Sequence, residues 1–165
     1  MSADTHVILD DPTKVWEMIK RIDTCMFITQ PAAGPEGRPM STIPMHDENT
    51  IYLLTEPTTG AAQGVAANGD VLMSYQGGGD HVCISGKATI DPDKALVKRL
   101  WSAGAQAFWP DGPDASNVVV ICVHPAKADY WDGPNPVVGA AKFAFGLLTG
   151  AVPDLGERGT ANMGD

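Results

Sequence analysis

Short runs of apolar residues, separated by glycine, proline and acidic residues, occupy most of the chain. Runs of this length that are rich in β-branched residues are typical of β-strands. We therefore predict strands over 24–29, 38–45, 51–55, 71–75, 82–90 and 118–123, with 127–131 extending or following the last one. Pro44 cannot donate a hydrogen bond to a neighbouring strand, so we expect an edge or a bulge at that point.

Helical spacing is found in fewer segments. Asp11 and Pro12 supply an N-cap and a first helical residue, and an apolar stripe follows at positions 15, 18, 19 and 22. Asp91 and Pro92 are expected to begin a second helix in the same way. The segment 136–148 is apolar on nearly every side and too short to span a bilayer, so we expect a buried helix that faces a partner.

The length of the chain favours a single domain over residues 1–150. Residues 151–165, which are rich in glycine, are expected to form a flexible C-terminal tail. The glycines at 77–79 join two predicted strands, and no Lys-Ser or Lys-Thr pair follows them. They therefore indicate a hairpin turn rather than a phosphate-binding loop.

The charge balance argues against several classes of partner. The chain has 20 Asp and Glu against 11 Lys and Arg, for a net charge of −9. Nucleic-acid backbones and anionic lipids are bound through basic side chains, so we expect neither a nucleic acid nor a membrane as partner. Cys25, Cys83 and Cys122 lie in apolar runs without C-x-x-C spacing, which indicates free thiols in a reducing compartment. Since the N-terminus lacks the layout of a secretory signal, we expect a cytoplasmic protein.

One stretch of the chain is a candidate anion site. Arg38 begins a predicted strand, and the next strand ends at Thr55, shortly before a weak helix preceded by Thr58 and Thr59. One cation, several hydroxyl donors and the amides of a helix start together suit an anionic ligand. A solvated, structural arginine is the alternative. The four histidines are scattered and no nucleophile–base or carboxylate pair is visible, so we predict neither a metal site nor a catalytic side chain.

A collinear series of short motifs covers nearly the whole chain. The motifs are WEMI (16–19), TCMFIT (24–29), GRPM (37–40), IYLLT (51–55), VLMSY (71–75), ISGKA (84–88), FWP (108–110), ADYWD (128–132) and, more weakly, PDLG (153–156). This order resembles the general stress protein 26 group of the pyridoxamine 5'-phosphate oxidase-like, FMN-binding split-barrel superfamily. The resemblance implies a mainly β fold, namely a six-stranded split β-barrel with covering helices. It also implies a homodimer that holds FMN in a cleft between the subunits.

The resemblance assigns roles to individual residues. Arg38 would face the FMN phosphate or ribityl chain, with the backbone of Pro39 and Met40 beside the isoalloxazine ring. The other implied contacts are the ring's polar edge at Leu54 and Thr55, phosphate donors at Thr58 and Thr59, and an apolar wall at Phe108, Trp109 and Trp131. The first two aromatic residues of that wall would reach across the dimer. Plain core packing is the alternative for all three.

Two positions depart from the family pattern. Glu36 stands where members of the group usually carry a second basic residue, and Ala61 stands where they often carry a lysine. A hydrogen bond to a charged group contributes roughly 1.5–3 kcal/mol. Losing two would weaken FMN binding by about two to four powers of ten. We therefore expect FMN to bind weakly or not at all.

Three functions remain open at this point. The leading hypothesis is an FMN-dependent oxidoreductase with an unknown small-molecule substrate, in which the cofactor supplies the chemistry and the protein positions it. The second is a non-catalytic, dimeric stress or ligand-binding protein that has lost tight flavin binding. The third is a protein that uses another phosphate-bearing cofactor, such as a deazaflavin, or haem. Pyridoxamine phosphate oxidase activity itself is not expected, because the resemblance is to the stress-protein branch.

Overall fold

The computed structural model describes residues 6–9, 12–115, 117–153 and 156–164. Within these ranges the strands are β1 (His6–Leu9), β2 (Thr24–Thr29), β3 (Glu36–Ser41), β4 (Ile43–Met45), β5 (Thr50–Thr55), β6 (Asp70–Gly77), β7 (Asp80–Asp91), β8 (Val119–Asp132) and β9 (Glu157–Asn162). The helices are α1 (Thr13–Ile22), α2 (Gly60–Ala67), α3 (Lys94–Arg99), α4 (Ala103–Phe108), α5 (Gly112–Ala115) and α6 (Pro136–Thr149). The predicted mainly β fold with covering helices is confirmed, with nine strands in the described residues instead of the six expected.

The strands form one curled sheet. Antiparallel ladders join β3, β2, β6, β7 and β8 in that order, and the first half of β8 also pairs with β5, which in turn pairs with β4. Among the described residues β3 therefore lies at one end of the curl, and the second half of β5, beyond its pairing with β4, lies at the other. Among the described residues no ladder joins these two strands, so a split runs between them.

The split opens where the predicted strand 38–45 is interrupted. Thr42 separates β3 from β4, and its backbone N–H and hydroxyl both donate to the carbonyl oxygen of Asp23, at 2.9 and 2.8 Å. Because Thr42 is only 3% exposed, these bonds satisfy polar groups that water cannot reach. Two short strands therefore replace the single long one, and Pro44 lies in β4, which pairs with β5 alone.

Two apolar clusters cover the two faces of β5 and β8. The larger lies inside the curl and includes Ile51 and Leu53, while Tyr52 points to the outer cluster beside α3, as the alternation of a strand requires. Helix α1 closes the inner cluster with the predicted stripe, of which Val15, Met18 and Ile19 are buried and Ile22 is partly buried. Pro12 occupies the N-cap position of α1, and the predicted cap at Asp11 lies outside the described residues.

The prediction that Asp91 and Pro92 begin a helix is wrong. Asp91 ends β7, and the N-cap of α3 is Asp93, whose side chain accepts the N–H of Ala95 at 2.9 Å. The hairpin turn at 77–79 is confirmed, since β6 and β7 pair up to the turn and its last two glycines adopt positive φ angles of 63° and 102°.

The C-terminal segment differs from the flexible tail that we predicted over 151–165. Residues 157–162 form β9, which pairs antiparallel with the second half of β8 and parallel with β1. Ala161 and Met163 are 0% and 2% exposed and belong to the inner cluster. The partners of β9 are distant in sequence, so the local composition of the segment could not reveal the pairing.

Helix α6 projects from the sheet and is exposed along most of its length. Phe143, Phe145, Leu147 and Leu148 are 56%, 64%, 73% and 87% exposed. The expectation that this apolar helix is buried is therefore not met within one chain. In the described part of the chain, no helix is long and apolar enough to cross a membrane.

Candidate functional site

Arg38 lies on the inner face of β3, at one side of the split. Its partner across the ladder is the fully buried Phe27, so both side chains point into the curl. The guanidinium lies against the first residue of α2, and a Cβ built on Gly60 would be 3.1 Å from Nη1. A glycine here permits the close approach of the arginine to the helix start.

The hydrogen-bonding capacity of Arg38 is only partly used. Nη2 donates to the carboxylate of Glu36 at 3.2 Å. Nη1 is buried and has no hydrogen-bond partner in the described structure. A buried charged donor without an acceptor is costly, and such groups in native proteins call for an explanation. An anionic ligand that accepts a hydrogen bond from Nη1 would supply one.

The threonines beside Arg38 have different surroundings. Thr59 is the N-cap of α2: its hydroxyl donates to the carbonyl of Glu56 at 2.9 Å and accepts the N–H of Ala62 at 3.3 Å. Thr55, which is 5% exposed, lies 2.8 Å from the same hydroxyl. Because the proton of Thr59 is donated to the Glu56 carbonyl, the other donors that the described residues offer at this end are the exposed Thr58 hydroxyl and the first amides of α2.

A cavity of about 560 Å³ adjoins this polar end. It reaches the neighbours of Arg38 and Thr55 along the chain, Pro39 and Leu54, and its size is within the range of small-molecule sites. Its lining residues are Asp23, Thr24, Pro39, Met40, Ser41, Thr42, Ile43, Leu54, Ser102, Gly104, Ala105, Phe108 and Trp109.

Trp109 connects the cavity wall to the polar end. Its indole N–H donates to the carboxylate of Glu56 at 2.9 Å, and its ring lies 6.0 Å from those of Trp101 and Phe108. Glu56 also accepts the hydroxyl of Thr59 through its carbonyl. These contacts hold the end of α4, with Phe108 and Trp109, against the loop that contains Thr58 and Thr59.

Nine of the ten residues predicted for the site lie around the split, and Trp131 does not. Within one chain it lines a separate groove of about 360 Å³, beside Cys83 and Tyr130 on β7 and β8. There the guanidinium of Arg158 lies 5.9 Å from the centre of its ring. The split of one chain therefore has Phe108 and Trp109 as its aromatic wall.

Sequence reasoning missed several residues that line the cavity. Asp23, Thr24 and Thr42 come together only because the break after β3 returns to the end of α1. Ser102 had a readable signal, since a serine that precedes a short helix is a good N-cap, and its side chain accepts the N–H of Ala105 at 3.2 Å. Ala61 is 1% exposed and belongs to the inner cluster, so its side chain points to the core.

A second arginine–glutamate pair lies at the outer face of β5. Arg99 donates to both carboxylate oxygens of Glu48, at 2.5 and 3.0 Å, and the hydroxyl of Tyr52 donates to the same carboxylate at 2.5 Å. The Arg99 and Tyr52 hydrogen bonds lower the pKa of Glu48 to about 2.

In the described residues, no cluster of three or more His, Cys, Asp and Glu side chains is placed to hold a metal ion.

Comparison with known proteins gives consistent matches. The family model for proteins described as pyridoxamine 5'-phosphate oxidase like matches residues 10–154. General stress protein 26 of Bacillus subtilis (strain 168) is 31% identical over 121 residues, which cover 70% of this chain and 84% of that protein.

Solved structures agree with this chain in fold. A candidate general stress protein 26 of Jannaschia sp. CCS1 has a TM-score of 0.73 at 21% identity, covering 91% of this chain and 96% of the other. The general stress FMN/FAD binding protein of Xanthomonas citri has a TM-score of 0.63 at 23% identity, covering 72% and 85%. The predicted split-barrel fold is confirmed.

Proposed function

Because the chain belongs to the pyridoxamine 5'-phosphate oxidase-like family, in its general stress protein 26 group, we propose that it binds FMN at the split between β3 and β5 and acts as a flavin-dependent oxidoreductase. The observation that carries the proposal is the buried Nη1 of Arg38, which lacks an acceptor beside the start of α2. An FMN/FAD binding protein among the structural relatives supports it.

The residues present fit the charged end of FMN in part. Arg38, the first amides of α2 and the Thr58 hydroxyl are the donors available to a phosphate. Thr59 would act by holding the start of α2 in place, since its own hydroxyl is engaged in capping. Glu36 opposes the phosphate, because its carboxylate already accepts a hydrogen bond from Arg38.

The apolar end of the site fits a flat ring system. The cavity beside Pro39 and Met40 is walled by Leu54 and Trp109, and these side chains would orient a ring and exclude water from it. The flavin, when bound, supplies the electron or hydride transfer. The protein would contribute binding, orientation and a dry environment, and we assign no side chain a catalytic role. The substrate is expected to be a small molecule that shares the cavity.

We propose further that the active form is a homodimer with the cofactor cleft at the interface. The support is α6, on which Phe143, Phe145, Leu147 and Leu148 are 56–87% exposed, since contiguous exposed apolar residues mark interaction surfaces. A second copy of the chain would cover this surface. Sedimentation of the purified protein is expected to give a dimer, and Leu147→Glu with Leu148→Glu should shift it towards monomer. A wild-type protein that sediments as a monomer at micromolar concentration would contradict this.

The absorption spectrum of the purified protein, followed by titration of FMN with its fluorescence as the readout, tests flavin binding. We expect either a flavin spectrum or saturable quenching of added FMN. As a control, the variant Arg99→Gln loses an arginine outside the site and should bind FMN as the wild type does. A colourless protein that leaves FMN fluorescence unchanged would reject the proposal, and a deazaflavin or haem spectrum would replace FMN with that cofactor.

One observation favours a second candidate function. The carboxylate of Glu36 on Arg38 is what a flavin-binding protein would have after losing tight phosphate binding. In that case the chain is a non-catalytic stress or ligand-binding protein whose cavity accepts an uncharged molecule. Saturable binding of such a molecule without any flavin binding would support it, and a tightly copurified flavin would exclude it.

A further inference from the structure

We propose that Glu36 determines the charge selectivity of the site, so that FMN gains little over riboflavin from its phosphate. The inference rests on the proposed function, because it concerns the same ligand and the same end of the split. It concerns Glu36 as a specificity-determining residue and assigns it no part in chemistry.

The geometry of β3 places the carboxylate on the arginine. Glu36 and Arg38 are two residues apart on one strand, so their side chains share a face. Their ladder partners in β2, Thr29 and Phe27, are both fully buried, which identifies that face as the inner one. The carboxylate of Glu36 accepts a hydrogen bond from Nη2 of Arg38 at 3.2 Å, and Nη1 is left as the donor without an acceptor.

A phosphate that approaches Arg38 therefore meets a competitor. A bidentate contact uses two guanidinium nitrogens, and one is already bound to Glu36. The phosphate must either displace the carboxylate or bind Nη1 alone with a like charge beside it. Both routes reduce the affinity for the dianion relative to an unopposed arginine.

The other donors at this end do not restore the selectivity for phosphate. The first amides of α2 and the Thr58 hydroxyl are neutral, and they suit a ribityl hydroxyl as well as a phosphate oxygen. The side chain of Ala61 in the first turn of α2 carries no charge, points to the core and is 1% exposed. Any discrimination between FMN and riboflavin by charge therefore depends on the Arg38–Glu36 pair.

The expected size of the effect follows from exposure. The side chain of Glu36 is 56% exposed and that of Arg38 is 24% exposed, so solvent screens the pair. Removing the carboxylate charge should tighten FMN binding by about two- to fivefold, the range of exposed ion pairs. Replacing it with a cation should add about tenfold or more, because a new charged donor then faces the phosphate.

The test compares the dissociation constants of FMN and riboflavin, both measured by flavin fluorescence. The proteins are the wild type, Glu36→Gln, Glu36→Arg and the control Glu17→Gln, which makes the same change in net charge on the exposed surface of α1. We expect wild-type affinities for the two flavins within about tenfold of each other. The two Glu36 variants should then tighten FMN stepwise and leave riboflavin within about twofold, and the Glu17 variant should change neither.

The outcomes separate this inference from the proposed function. If the wild type binds FMN more than about a hundredfold tighter than riboflavin, and Glu36→Gln leaves that ratio unchanged, the inference is overturned and the flavin site stands. If Glu36→Gln tightens both flavins equally, Glu36 acts on the fold of the site and the selectivity claim is wrong. If no protein in the series binds either flavin, the proposed function fails and the inference fails with it. Unfolding midpoints that match the wild type confirm that the variants are folded.

Discussion

The molecule contains two arginine–glutamate pairs that differ in almost every respect. Arg99 makes two hydrogen bonds to Glu48, and Tyr52 donates a third to the same carboxylate. Arg38 makes one longer contact with Glu36, and no described residue accepts a hydrogen bond from its Nη1. Yet the side chain of Arg38 is the more buried of the two arginines, at 24% exposure against 47%.

We interpret the Arg99–Glu48 pair as structural and Arg38 as a group that binds a ligand. Buried polar groups in native proteins are usually hydrogen-bonded, and in the more exposed Arg99 both terminal nitrogens donate to Glu48. The half-buried Arg38 has a buried Nη1 without an acceptor among the described residues, and its chain neighbour Pro39 lines the cavity. A buried donor without an acceptor in the described structure, rather than the presence of an ion pair, therefore marks the candidate site.

The largest effect is expected from Arg38→Gln. This change removes the only cation that we place at the phosphate and should weaken FMN binding by about tenfold, the lower end of the value of a charged hydrogen bond because Glu36 already opposes the phosphate. Stability without ligand should be unchanged or raised, because a buried unpaired donor is also removed. Fluorescence titration and thermal unfolding measure the two quantities. Equal loss of FMN binding in Arg99→Gln would erase the distinction between the pairs.

The next largest effect concerns the stability that the Arg99–Glu48 pair contributes. The pKa of Glu48 is lowered from its ordinary value near 4.5 to about 2 by hydrogen bonds from Arg99 and Tyr52. Its contribution is therefore fully present above about pH 4.5 and is lost as the pH falls from there to about 2. Glu48→Gln should lower the free energy of unfolding at pH 7, with little effect on FMN binding.

The pH dependence provides the control for this second prediction. Chemical denaturation of the wild type and Glu48→Gln at several pH values should show the difference shrinking as the pH falls below about 4.5. A difference that persists unchanged at pH 2 would show that Glu48 stabilises the protein by some means other than its ionised pair.

A smaller effect is expected from Trp109→Phe, which keeps an aromatic wall but removes the N–H that donates to Glu56 at 2.9 Å. The free energy of unfolding should fall by about 1 kcal/mol, since both side chains are partly exposed. Affinities for FMN and riboflavin should fall together, because the wall contacts the ring end. A loss confined to FMN would place Trp109 at the phosphate instead.

The smallest effect is expected from Tyr52→Phe. The ring still packs in the outer cluster and Arg99 still holds Glu48 at two points, so only the hydroxyl bond is lost. The pKa of Glu48, followed by NMR, should rise but stay below its ordinary value, because Arg99 is the larger cause of the shift. A return to the ordinary value would mean that Tyr52 orders the whole pair.

Much of the fold could be predicted because local patterns determine it. The apolar run at 51–55, the stripe of α1 and the glycine turn at 77–79 can each be recognised within a few residues. The division of strand 38–45 at Thr42 and the pairing of β9 with β1 and β8 depend on residues distant in sequence. No local pattern contains that information.

At the site, too, local sequence patterns could be read, but contacts between distant residues could not. Arg38 was predicted at the start of a strand over 38–45, and the resemblance drew attention to Glu36 before it; the structure extends the strand to Glu36 and pairs the two side chains. The engaged hydroxyl of Thr59, the core-facing side chain of Ala61 and the distance of Trp131 from the split could not. Each depends on which way a side chain points after the sheet has curled.

The most direct test of the account is a crystal structure of the protein with FMN bound. The account predicts a dimer with a phosphate oxygen within hydrogen-bonding distance of Arg38 Nη1 and the ring in the cavity beside Leu54 and Trp109. A flavin bound in the groove beside Trp131 of a single chain would contradict it. So would a cavity filled by protein side chains, with Nη1 hydrogen-bonded to one of them.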